Sequence, residues 1–141
     1  MNPTDAQIVR VYTQVTPPPG VAGVAEASPN FIGPGAFAPT FDVVVEAEAG
    51  AILAFSGQPY NLVLYAYDVT QGVRVPPLDV PLPGGFIGPP SWPSFQQVTT
   101  IPLGAGLYIP GDVYKYTAAL TSNVGPNAIA SFMDSPLFIL Y

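Results

Sequence analysis

Nineteen prolines and fourteen glycines are spread through this 141-residue chain, so no window keeps an apolar pattern of period 3.6 over an ordinary helix length. Proline removes a backbone donor and clashes with the preceding turn, and glycine costs backbone entropy, so helices are interrupted wherever they begin. An all-β fold with little or no helix is therefore predicted. Between the breakers lie short segments rich in β-branched and aromatic residues: 8–15, 41–48, 51–55, 60–70, 73–75, 95–101, 107–109, 113–122, 128–133 and 137–141. Strands at this spacing predict a single β-sandwich over residues 1–141, a length that encloses one core rather than two.

Phe31-Ile32-Gly33-Pro34 returns as Phe86-Ile87-Gly88-Pro89, and the likeness continues beyond each copy. With one residue dropped, Phe41, Val44, Gly50, Leu53, Gly57 and Tyr60 meet Phe95, Val98, Gly104, Leu107, Gly111 and Tyr114; with it restored, Asp79, Pro81 and Leu82 meet Asp134, Pro136 and Leu137. The chain is thus expected to hold two duplicated halves, roughly 31–82 and 86–137, packed around one pseudo-twofold core. Val9-Arg10-Val11 faintly echoes Val73-Arg74-Val75, which leaves two places for the first strand, beside the first half or on another subunit. Residues 16–40 lack periodicity and are expected to form a Pro/Gly-rich arm or long loop. The strand pattern resembles immunoglobulin-like and jelly-roll Greek-key sandwiches in general, with no cysteine pair or other motif specific to either.

Charged residues make up only 9% of the chain, against a usual share of about a quarter, and this points to surface buried between subunits. Formal net charge is −6, and the only basic residues are Arg10, Arg74 and Lys115, so nucleic acid and anionic membrane are poor partners. Without cysteine there is neither a disulfide nor a thiolate metal site, and no redox compartment can be read. No secretory signal is visible in the first twenty residues, and the uncharged run 49–67 is broken by Gly50, Gly57, Pro59 and Asn61, which reads as two strands and a turn rather than a membrane span. Localisation stays unread.

Histidine is also absent, and no serine motif or phosphate-binding glycine loop accompanies Lys115, so an enzyme is not expected. Asp42, Glu46 and Glu48 share one strand face, a spacing open to calcium or to an acid–base pair; a solvated face guarding a sheet edge is the preferred reading, and no metal or cofactor is assigned. Asp79 and Asp134, each before a Pro-Leu pair, are read as turn caps.

Comparison of the halves identifies the candidate contact residues. Tyr60, Leu62, Leu64 and Ala66 match Tyr114, Tyr116, Ala118 and Leu120 as a core face, whereas the opposite face is Asn61, Val63, Tyr65, Tyr67 in one half and Lys115, Thr117, Ala119, Thr121 in the other. Val63, Tyr65 and Tyr67 are the expected partner-binding row, unless the 16–40 arm covers them. Phe37 and Trp92 follow the two tetrapeptides at matched spacing and are read first as plugs of the sandwich ends; the functional alternative makes Trp92, with Tyr108, a stacking platform for a neutral carbohydrate. Together these features suggest a non-enzymatic structural protein, a β-sandwich subunit of a homo-oligomer, lattice, filament or virion-like assembly, with a carbohydrate- or neutral-ligand-binding module as the alternative.

Overall fold

Apolar residues at every second position from Tyr60 to Ala66 and from Tyr114 to Leu120 build the two strands at the centre of the larger sheet. The structure, a computed structural model, describes residues 2–17, 20, 30–32 as backbone only, 40–104, 106–123 and 128–141. Gly33, Pro34 and Phe37 lie outside the described residues, as does most of the 16–40 arm. In chain order the elements are β1 (Ala6–Val15), β2 (Asn30–Ile32), β3 (Thr40–Ala49), a helical turn α1 (Ala51–Ala54), β4 (Pro59–Asp68), β5 (Val73–Arg74), a 3-10 turn Pro76–Leu78, β6 (Val80–Pro81), β7 (Gly84–Gly85), β8 (Ser94–Pro102), β9 (Val113–Ser122), β10 (Ile129–Asp134) and β11 (Phe138–Leu140).

The smaller sheet has the order β1-β3-β8, and the larger runs β2-β11-β9-β4-β5, with β10 beside β9 and β6 and β7 beside β4. Pairing is antiparallel throughout except between β2 and β11. The expected all-β sandwich is observed. Phe41, Val43 and Val45 of β3 face Leu62 and Leu64 of β4 and Tyr116, Ala118 and Leu120 of β9 across one core, and all are buried. Phe138 and Leu140 of β11 are buried in the same core, so the apolar C-terminus finds its partners within the sheet. At about 25 cal/mol per Å², burying such side chains is the main force holding the two layers together.

The sequence halves interleave: β3 pairs with β8, and β4 with β9. In the alignment of the halves, Val44 lies opposite its twin Val98, and Leu64 opposite its twin Ala118. Antiparallel neighbours possess such a centre whatever their ancestry, so the duplication is not confirmed by the fold. The echo between β1 and β5 does not correspond to equivalent places either, for β1 pairs with β3 whereas β5 pairs with β4.

Two expected strands are not strands. Residues 51–55 form a helical turn because the N-terminal segment captures the amides there: Ile52 and Leu53 both donate to the Pro3 carbonyl at 3.0 Å, and Gly50 donates to Asp5 O at 2.8 Å. The approach is so close that a Cβ on Gly50 would lie 2.5 Å from Pro3 Cα. Residues 107–109 form a turn, with Leu107 N–H donating to Gly104 O at 3.2 Å and Ile109 N–H to the Tyr114 hydroxyl at 2.8 Å.

The two sides of the sandwich differ. The β1–β3 register slips between Ile8 and Arg10, a bulge that turns the start of β1 toward β10, where Ile8 N–H donates to Ser131 Oγ at 3.0 Å. That joins the sheets along one side. On the other, β8 ends the smaller sheet, and most of its residues are exposed.

Candidate functional site

Directly paired strand residues share a face, so the register defines the outer surface of the larger sheet. Val63 lies between Pro81 of β6 and Ala119 of β9, and Ala119 lies beside Phe132 of β10. This places an apolar row, Pro81-Val63-Ala119-Phe132, across four strands. One step along β4, Tyr65 faces Thr117 and then Asp134; the next step lines up Arg74, Tyr67 and Lys115. The expected row of Val63, Tyr65 and Tyr67 is thus contiguous and half-buried.

Phe132 was not among the expected contact residues, yet it is 65% exposed, beyond any other phenylalanine among the described residues. Its signal was parity. Ile129 packs inward and Asp134 is exposed, so within Ile129–Asp134 Phe132 shares the face of the aspartate. An aromatic ring left in water on a flat sheet surface marks a contact site more sharply than the half-covered tyrosines.

Electrostatics shape this surface. The Arg74 guanidinium lies 4.8 Å from the Tyr65 ring centroid, and Lys115 Nζ lies 5.8 Å from that of Tyr67. Arg10 sits 4.3 Å from the Tyr12 ring on the smaller sheet, so every cation in the chain is placed over a tyrosine. Arg74 also pairs with Asp79, and Lys115 with Asp134 at 3.2 Å. Neither aspartate caps its own turn as expected. Asp79 Oδ1 accepts the Ala66 amide at 2.8 Å and so fastens its segment to β4. Asp134 accepts from Thr117 Oγ1 at 2.7 Å, and this bond, aided by Lys115, holds its carboxyl below the ordinary value.

The two proposed stacking residues do not come together. Trp92 is 1% exposed: Phe95 stacks on it at 5.0 Å, Phe86 approaches to 4.8 Å and Tyr60 meets it edge-on at 5.5 Å. No indole face is left for a sugar, because the ring fills the end of the sandwich, as in the plug reading. Gly88, at φ +77, gives the chain the left-handed residue that the Phe-Ile-Gly-Pro turn requires. Tyr108 lines a separate open cleft of about 230 Å³ with Tyr114, Asp68 and Arg74.

Behind Asp68, which lines that cleft, lies Asp112; a hydrogen bond between the two carboxyl groups, together with desolvation, raises Asp112 above the ordinary value. Gln71 holds both, its amide on Asp68 Oδ1 at 3.0 Å and its Nε2 on Asp112 Oδ2 at 3.3 Å. Tyr114 is pushed up by burial, with Asp68 and Asp112 adding to the effect. These groups close the turn between β4 and β5 against the start of β9.

Asp42 departs from the expected solvated face. It is 3% exposed on the outer side of β3 and accepts from Gln14 Nε2 at 3.3 Å, Thr16 Oγ1 at 3.0 Å and Thr100 Oγ1 at 2.9 Å. This buried carboxylate, with three of its roughly four acceptor sites filled, fastens the end of β1 and β8 to β3 and is a structural anchor rather than a solvated face. Glu46 and Glu48 follow the expectation more nearly: both are half-buried and accept from Gln96 and Gln7. No group of three acidic side chains converges among the described residues. No protein-family model matches the chain, and no curated protein matches it.

Proposed function

We propose that this chain is a non-enzymatic assembly subunit, one β-sandwich of a homo-oligomer or larger lattice, filament or shell, and that copies meet through the outer face of the larger sheet. The carrying observation is the continuous row Pro81-Val63-Ala119-Phe132, flanked by Tyr65 and Tyr67, with Phe132 exposed at 65%. A small share of residues like these, above all centrally placed aromatics, supplies most interface energy. The charges favour a second copy as partner: Lys115 and Asp134 lie on this face together, so a copy turned by half a revolution offers each an opposite charge. A low overall charge of 9% suits a surface that is covered in the assembled state.

Sedimentation velocity over a range of concentrations tests the reading. The full chain is expected to associate, and Phe132→Ser is expected to weaken association by roughly thirtyfold, equivalent to about 2 kcal/mol at one buried aromatic anchor. A strict monomer at high concentration sinks the assembly reading, and assembly unaltered by Phe132→Ser removes this face as its contact.

A further inference from the structure

Sheet edges carry unpaired backbone donors and acceptors, and proteins normally blunt them. Three edges of this sandwich are blunted. On the smaller sheet, β1 bulges at Val9 and ties to Ser131. On the larger sheet, β5, β6 and β7 are two residues each and are interrupted by Pro76, Pro77, Pro81 and Pro83, β2 has three residues, and the six-residue β10 is met by β1 through the Ile8–Ser131 bond. The fourth edge is different. From Ser94 to Pro102, β8 pairs with β3 without a bulge, and among the described residues no strand pairs with its other side. None of its nine residues is charged, in a chain of net charge −6.

We infer that β8 is a self-pairing edge: two copies join antiparallel through β8, with the twofold axis at Val98, and so extend the three-stranded sheet across the contact. This inference deepens the assembly reading and rests on it. Like charges keep most surfaces of an acidic chain apart, whereas this strand brings none together when it meets itself. An axis at Val98 also sets the side-chain register. Phe95 then faces Ile101 of the second copy, Gln96 faces Thr100, and Gln97 faces Thr99. The last pair accounts for a structural anomaly, since Thr99 Oγ1 is buried without a hydrogen-bond partner within its own chain. The Gln97 carboxamide, exposed and bonded only to the neighbouring Val98 carbonyl, supplies that partner from the second copy.

Two separate self-complementary contacts, the outer face of the larger sheet and the β8 edge, have different twofold axes. Each subunit therefore joins two neighbours, and the angle between the two axes decides whether the assembly closes into a ring of dimers or grows on.

The absence of cysteine from the chain permits a direct test by oxidation of single-cysteine variants of the full protein. Across an antiparallel pair, Cα atoms lie about 4.5–5.5 Å apart, within disulfide range. Val98 and Val9 are equally exposed at 47%, so Val9→Cys measures collision alone. Val98→Cys is expected to give a covalent dimer at least tenfold faster than Val9→Cys or Gln96→Cys, and Gln96→Cys/Thr100→Cys to give one as readily as Val98→Cys. Equal rates for Val98→Cys and Val9→Cys overturn the inference, as does failure of the double variant. The same measurement in a Phe132→Ser background separates the two ideas. Fast Val98→Cys crosslinking with association unaltered by Phe132→Ser keeps the edge and removes the face; slow crosslinking with association weakened by Phe132→Ser keeps the face and removes the edge.

Discussion

Replacing Trp92 by alanine removes the ring around which Phe86, Phe95 and Tyr60 are arranged. A buried tryptophan withdraws about 200 Å² from water, or about 5 kcal/mol at about 25 cal/mol per Å². Alanine keeps a small part of that, and the three rings close only partly over the space, so the expected cost is about 4 kcal/mol, within the usual range for such truncations. For a domain of this length, that corresponds to a fall in Tm of roughly 12 °C. Urea unfolding followed by far-ultraviolet circular dichroism measures the difference. Trp92 is the only tryptophan, so the parent protein adds an independent readout: its native emission is expected to be blue-shifted and shielded from acrylamide. A cost below about 1 kcal/mol, or free quenching in the native state, would refute the argument that this ring seals the sandwich.

Three further outcomes are expected. Asp42→Ala leaves Gln14, Thr16 and Thr100 without their common acceptor and should cost about 3 kcal/mol in urea unfolding, far more than Glu46→Ala, which removes a single bond from Gln96 at a half-buried position. Gly50→Ala drives a Cβ into the backbone of Asn2 and Pro3 and should lower Tm by several degrees, about 2 kcal/mol, as thermal melts of the two proteins would show. Asp112 binds its proton more tightly in the folded chain than at the ordinary value of 3.8, so the stability linked to it is full below that value and declines as pH rises through the raised one. Asp112→Asn should flatten that decline, and thermal melts from acid to neutral pH that run parallel for the two proteins would contradict it.

The strands that sequence reading located best are those whose pattern is local. Tyr60–Ala66 and Tyr114–Leu120 alternate plainly, and alternation alone determines which face is buried. Residues 51–55 were misread because their hydrogen-bond acceptor is the carbonyl of Pro3, a partner no local pattern reveals. Asp42 was misread for a related reason: its three donors come from β1, from the residue following it and from β8, and only the assembled sheet brings them together. Of the candidate contact face, Val63, Tyr65 and Tyr67 were legible from parity within one strand. Phe132 and Pro81 joined them only through the pairing of β10 with β9 and β6 with β4.

The interleaving of the halves also governs the order in which the molecule can form. When the ribosome has released the first half, β1 can already pair with β3, but β4 still lacks β9, the long strand against which most of its length is hydrogen-bonded. Val44 waits for Val98 and Leu62 for Leu120, so almost nothing in the core is secured by nearby residues. Folds that depend on such distant pairings form slowly and leave apolar strands uncovered while they wait. A chain cut after residue 82 should therefore aggregate rather than fold, and an unfinished subunit would be withheld from assembly until β8, the strand proposed to join copies, has been made and paired with β3.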